Sequence, residues 1–235
     1  MKRPLLFPFV LAVLVTWGCS PSSVRERWFL KLPVTEGMKE VVSGHAIINN
    51  LHARYFVYAG EGEGTPVRDT AEYLGWIEMP GGERQRTFIT PLGVYTVWTY
   101  RRGNKSLLLA FPGEGTGFIL AALLDEPMLW IGEDGETPGV EPADAPRPVE
   151  SRRILYVKLE SWFRHWEASW YLAGSPPETV MTEGVWRLSS GGWIMKMGGE
   201  RLMVGWRPGK PQITVRVFDR DGGSCFSILA AGKEM

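Results

Sequence analysis

Few side chains in this sequence of 235 residues could do chemistry, because histidine and cysteine are scarce. Its histidines are His45, His52 and His165, and its cysteines are Cys19 and Cys225. None of them has the spacing of a zinc site, and no nucleophile or phosphate-loop motif is complete. On one extended strand, His45 and His52 would point to opposite faces. We therefore predict no catalytic residue, no metal site and no cofactor.

Tryptophan is the residue type present in excess, with 11 copies. An indole offers a large apolar surface and one hydrogen-bond donor, which suits ligand stacking and protein interfaces alike. Trp162, Trp166 and Trp170 are four residues apart, so they share one face of either a helix or a strand. These three are our candidate ligand-binding residues. The alternative is that they fill a core, as aromatic residues of small β domains commonly do.

The first eighteen residues have the three-part plan of a secretory signal. Lys2 and Arg3 precede an apolar stretch over 5–15, and a small Gly18 stands before Cys19. Gly18-Cys19 at this position resembles the lipobox of bacterial lipoproteins. The resemblance implies removal of residues 1–18, lipid on Cys19 and anchorage in the cell envelope.

By the same analogy, Ser20 implies the outer membrane, on its periplasmic side. An ordinary secreted protein and an uncleaved N-terminal anchor are the alternatives. If Cys19 carries lipid, Cys225 has no partner within the chain, and we expect a small buried residue there. The formal net charge of zero excludes the basic footprint of a nucleic-acid-binding protein.

An internal repeat runs through the chain at an offset of 117 residues. Residues 75–84 (GWIEMPGGER) match residues 192–201 (GWIMKMGGER) at seven of ten positions without a gap. An aromatic run closed by Ala-Gly precedes each copy, and an alternating segment follows each. The common order of features predicts a duplication. The Gly-Gly pair within each copy is expected to take the positive φ angles of a tight hairpin turn.

The predicted fold is mainly β. Alternating β-branched residues and frequent glycine and proline favour short strands and turns. We expect two tandem, related, antiparallel β-rich units, each a small barrel or meander sheet, which could also close into one barrel. Short helices are predicted over 66–74 and 117–126. The segment 162–170 fits either helix or strand, and the repeat favours strand for its C-terminal part.

The predicted domain organisation has five segments. A signal peptide (1–18) and a tether (19–27) precede the first unit (28–131), and an acidic, proline-rich linker (132–150) leads to the second (151–235). Because the linker holds several prolines and acids and few apolar residues, we expect an extended, solvated connector.

We expect a non-enzymatic, membrane-anchored accessory lipoprotein that docks on another envelope component. Its plan is similar to that of outer-membrane assembly lipoproteins with paired small domains. The first alternative is a carrier of lipid or another apolar ligand, similar in plan to Lol-type lipoprotein receptors or lipocalins. A weaker alternative is a glycan- or lipid-acting enzyme. The expected partners are the membrane, through the lipid, and either an envelope protein or an apolar ligand.

Overall fold

A computed structural model describes most of the chain after residue 37. The described residues are 38–59, 64–79, 85–90, 93–112, 118–128, 135–148, 150–160, 165–220 and 222–232. They form thirteen β-strands and two α-helices. The prediction of a mainly β, antiparallel protein with short helices is confirmed.

Seven strands and the first helix come before residue 125. They are β1 (Lys39–Ile48), β2 (Leu51–Ala59), α1 (Gly64–Tyr73), β3 (Ile77–Glu78), β4 (Gln85–Thr90), β5 (Gly93–Arg102), β6 (Lys105–Pro112) and β7 (Phe118–Leu124). The later elements are β8 (Ser151–Glu160), β9 (His165–Ala173), α2 (Pro177–Ser190), β10 (Ile194–Gly199), β11 (Leu202–Trp206), β12 (Gln212–Arg220) and β13 (Gly223–Gly232).

The chain divides into two compact units. The first takes the described residues of 38–44, 54–88 and 93–128, and the second those of 45–53, 89–92 and 129–232. In the second unit the strand order is β10-β11-β12-β13-β9-β8-β1. In the first it is β2-β7-β6-β5-β3, and β4 also pairs with β5. Both orders are linear over the described strands, so neither unit closes into a barrel there.

In each unit a helix covers one face of the sheet. Buried residues of α1, Val67 and Ala71, join a core cluster with side chains of β2, β5, β6 and β7. Residues Val180, Met181 and Leu188 of α2 join the corresponding cluster with β9, β11, β12 and β13. The helix predicted over 66–74 is thereby confirmed. The cores lie between helix and sheet, where apolar area is removed from water.

The two helices end in the same way, 117 residues apart. After α1, the amides of residues 74, 75 and 76 donate to the carbonyls of 70, 72 and 71. After α2, the amides of 191, 192 and 193 donate to 187, 189 and 188. Gly75 and Gly192 have φ of 81° and 80°, as expected of glycines that end a helix in the left-handed region. Trp76 and Trp193, 1% and 3% exposed, follow them into the cores.

Both halves of the chain repeat a strand hairpin, a helix and four further strands in that order. Strand β7 is the exception, since it lies between β6 and β2 while β13 pairs directly with β9. The predicted helix over 117–126 is wrong, because Phe118–Leu124 is this inserted strand. A short apolar run with no polar face cannot by itself separate a buried helix from a central strand.

The glycine pair of the repeat does not form the turn that we predicted in the second unit. Gly198 and Gly199 lie at the end of β10 and have no positive φ, and Glu200 and Arg201 make the turn. The pairing of β10 with β11 shifts register between Met197 and Gly199, which indicates a bulge. The equivalent pair in the first unit, residues 81–82, lies outside the described residues.

Residues 135–148, which we call the strap, pack onto the second unit, although a solvated connector was expected there. Ala145 has no exposed surface and belongs to the core cluster beneath α2. Thr137, Pro142 and Pro148 are also buried. Two acids of this segment form ion pairs, Glu136 with Arg147 and Glu141 with Arg153. These carboxylates are therefore compatible with a strap that packs on the sheet.

Candidate functional site

A partly buried polar cluster joins the strap to strands β8 and β9. Arg153, 5% exposed, donates from Nη2 to Oε1 of Glu141 at 2.6 Å. Arg147 binds Glu136 through two hydrogen bonds of 2.7 and 2.9 Å. The Tyr171 hydroxyl donates to Oε2 of Glu141. Both guanidinium groups lie over the Tyr171 ring, with Cζ 5.4 and 5.7 Å from its centroid. Two cations therefore balance two carboxylates.

The cluster has the properties of a structural contact rather than of a catalytic centre. Burial, reinforced by the Glu141 carboxylate, raises the pKa of Tyr171 far above its ordinary value. The hydrogen bond from Arg147 lowers the pKa of Glu136. Tyr171 has no exposed surface, so its protonated hydroxyl cannot reach a substrate. Its role is to hold the strap on the sheet.

The second candidate is the sheet face of the second unit that lies opposite α2, which we call the tryptophan face. Tyr171 of β9 points into the core beneath α2, so its neighbour Trp170 points to the other face, as does Trp166. The register sets Trp170 beside Leu155 of β8 and Ser227 of β13. Both indoles are half-buried. Strands β8 to β13 and the end of β1 continue this face.

The two faces of this sheet differ in charge. The charged side chains described on the tryptophan face are all basic, namely Arg152, Lys196, Arg216 and Arg220. The opposite face carries both signs, with the carboxylates of Glu167 and Asp219 and the cations of Arg153 and Lys158. Since the whole chain has a formal net charge of zero, this separation is a property of the fold and not of composition.

The tryptophan face is most accessible at the edge strand β10 and its neighbour β11. Ile194 and Trp206 are directly opposite in register and are 68% and 40% exposed. The exposed Lys196 follows on the same side of β10, opposite Val204. Trp206 donates from Nε1 to Gln212 Oε1 at 3.2 Å. Directly opposite side chains lie about 5 Å apart. The edge therefore presents an aliphatic, an indole and an ammonium group in one patch.

The predicted site residues are only partly within the described chain. Cys19 and Trp162 lie outside the described residues, so the lipid attachment and one of three tryptophans stay predictions. Trp166 and Trp170 share the tryptophan face, and their role as ligand-binding residues also stays a prediction. Cys225 lies on that face, 5% exposed, and burial raises the pKa of its thiol to about 11.

The two histidines thought to share a strand do not. Asn49 and Asn50, with φ of 49° and 66°, form the turn between β1 and β2, as a type I′ hairpin requires. His45 therefore lies on β1 and His52 on β2, and both are exposed. In the part of the chain that is described, no group of three or more His, Cys, Asp or Glu side chains could hold a metal ion.

Sequence reasoning missed the exposed edge of the tryptophan face. Alternation places Leu202, Val204 and Trp206 on one side of 202–206, and it places Arg216 and Phe218 on one side of 212–218, so this signal was available. Which alternate positions of neighbouring strands share a face depends on the register, which the sequence does not state. Trp206, Lys196 and Arg216 were therefore not recognised as neighbours.

Comparisons with models of protein families, with curated proteins and with solved structures give no match. Neither of the two described helices is long and apolar enough to span a bilayer.

Proposed function

We propose that this chain is a non-enzymatic lipoprotein of the cell envelope that docks through its tryptophan face on another envelope component. Lipid on Cys19 holds it on the periplasmic side of the outer membrane. The second unit supplies the docking surface, and the strap and α2 stiffen the opposite side of the same sheet.

The tryptophan face is the observation that carries the docking proposal. It combines half-buried Trp166 and Trp170 with the more exposed Trp206 and Ile194. Aromatic and arginine side chains dominate binding surfaces. A tryptophan contributes a large contact area with little loss of conformational freedom. A sheet face on which exposed apolar side chains lie beside cationic ones is more typical of a binding surface than of a surface that contacts only water.

The anchor proposal is supported by the order of features before residue 20. A basic start, an apolar stretch and Gly18-Cys19 follow one another as in the signals of bacterial lipoproteins. This proposal is tested by replacing Cys19 with serine, expressing the variant in a bacterial host, and separating the membranes from the soluble protein. We expect the unaltered chain in the membrane fraction and the variant in the soluble fraction. The membranes are washed at high salt, which weakens any contact held by exposed charges. A variant that remains with the membrane after this wash would refute anchorage through Cys19.

Docking is tested in the same cells with a photoreactive amino acid at Val204, a half-buried position of the tryptophan face. The control carries it at Thr179, on the exposed side of α2. We expect crosslinked products from position 204 and none of the same kind from position 179. Equal yields from both positions would show that the face has no preferred partner.

An apolar-ligand carrier is the second candidate, and one detail favours it. Trp166 and Trp170 flank the small, buried Ala168 on β9, so two indoles border a shallow apolar strip. Native mass spectrometry of the gently purified protein distinguishes the two functions. A stoichiometric bound lipid, lost from Trp170→Ala, would favour the carrier, whereas a clean protein mass would favour docking.

A further inference from the structure

We propose that the component on which the tryptophan face docks is the anionic headgroup surface of a phospholipid bilayer. This inference rests on the proposed function and names its partner. It assigns Trp206 and Ile194 to the interfacial region and Lys196 and Arg216 to the lipid phosphates.

Charge complementarity favours an anionic occupant. Lys196 and Arg216 lie on the same side of the sheet, and none of the described side chains of β8 to β13 on that side is a carboxylate. Arg216 lies over the Phe218 ring, 5.6 Å from its centroid, so its described neighbour is aromatic and not acidic. A surface of fixed negative charge would meet these cations without meeting a like charge.

The apolar groups of the edge favour a lipid surface over a free anion. Indole rings and the aliphatic stems of lysine and arginine are suited to the headgroup region, where one end is apolar and the other is wet. Trp206 and Ile194 offer such apolar area directly beside Lys196. A small anion would use the cations alone and leave both apolar side chains in water.

The lipid anchor makes a weak contact of this kind sufficient. Ala46, at the β1 margin of the tryptophan face, follows Cys19 by 27 positions. An extended chain of that length reaches roughly 90 Å at most, so the bilayer is always within range. Tethering turns the contact into an intramolecular event with an effective concentration that a free protein would not have.

Hydroxyl-radical footprinting of the full chain, reconstituted in vesicles, reads single residues and tests the contact. Vesicles of phosphatidylcholine alone are compared with vesicles that also contain phosphatidylglycerol. Trp206 is the reporter, and Trp186 is the control in the same molecule. Trp186 is 65% exposed on α2, where its surroundings include Glu178 and Glu183. We expect oxidation of Trp206 to fall several-fold on the anionic vesicles while that of Trp186 stays constant.

Vesicle sedimentation of the Cys19→Ser chain measures affinity without the anchor. Lys196→Gln and Arg216→Gln should each weaken binding to anionic vesicles about fivefold, and Trp206→Ala roughly tenfold. The matched controls on α2, Arg187→Gln and Trp186→Ala, should leave binding unchanged. Near-physiological and raised salt are compared, since screening weakens contacts between exposed charges.

The outcomes separate this inference from the function on which it rests. Protection of Trp206 that needs phosphatidylglycerol and falls in the charge variants supports a lipid occupant. Absence of protection on both vesicles overturns it. If Trp206 is then protected in isolated native membranes, docking stands with a protein partner. If Trp206 is unprotected there too, the proposed docking function falls as well.

Discussion

Replacing Gly192 by alanine tests the helix terminus that the two units share. Gly192 follows α2 with φ of 80°, and an added Cβ would lie 3.9 Å from Arg207 Nε, which is an ordinary van der Waals distance. There is thus no steric overlap to relieve. The expected cost is that of a left-handed backbone for a residue with a Cβ, about 1–2 kcal/mol of the free energy of unfolding.

The first unit supplies an independent copy of the same experiment. Gly75 has φ of 81°, and nothing lies within 4 Å of an added Cβ. Gly75→Ala should therefore cost the same. Gly199→Ala is the matched control, because Gly199 has open space for a Cβ without a left-handed φ. That substitution should change stability by less than about 0.5 kcal/mol.

The assay is urea unfolding followed by tryptophan fluorescence and by circular dichroism, with linear extrapolation of the free energy. Because two units need not unfold together, the two signals must coincide before energies are compared. The reasoning is refuted if Gly192→Ala is no more destabilising than Gly199→Ala. A large difference between the Gly75 and Gly192 variants would show that the shared hydrogen bonds do not carry equal energy.

Three further predictions concern the strap. Tyr171→Phe removes the hydroxyl that binds Glu141 and should cost about 1–2 kcal/mol, seen as faster hydrogen exchange over 135–148. Gly139→Ala should release the strap more completely, because its Cβ would lie 2.6 Å from Cβ of Tyr156; unchanged exchange would contradict this close packing. Arg147 lowers the pKa of Glu136 in the folded chain. The stabilising contribution of this pair is therefore complete when the pH is above the ordinary pKa of 4.5. That stability is lost as the pH falls through the lowered value. Between pH 6 and 3, the exchange rate divided by the intrinsic rate at each pH should therefore rise, and it should rise less in Glu136→Gln.

Local patterns predicted the elements whose signals lie within a few residues. The helix predicted over 66–74 has a proline near its start, and the structure has this helix over Gly64–Tyr73. The repeat at 117 residues predicted related units, and the helix termini share their hydrogen bonds. The repeat favoured a strand for the C-terminal part of 162–170, and the spacing alone placed Trp166 and Trp170 on a common face.

Features that depend on distant neighbours were not predictable in this way. Phe118–Leu124 is a strand because β6 and β2 offer it hydrogen bonds on both sides, and its own residues are equally compatible with a helix. The strap is packed because Arg153 and Tyr171, on strands that follow it, bind Glu141. Its acids and prolines alone indicate only a polar segment.

Strand β8 shows the difference between what the sequence alone predicts and what the tertiary structure decides. By sequence, Arg153 and Leu155 are two apart and belong on one face of a regular strand. In the fold, the pairing with β9 shifts between these residues, so Arg153 lies opposite Tyr171 and Leu155 opposite Trp170. The amino-acid sequence by itself determined the mainly β class, the helix after β2 and the repeated order of features, because these depend on local backbone preferences and periodicity. Only the tertiary structure decided which side chains share a face, because register and bulges arise from pairing between distant segments.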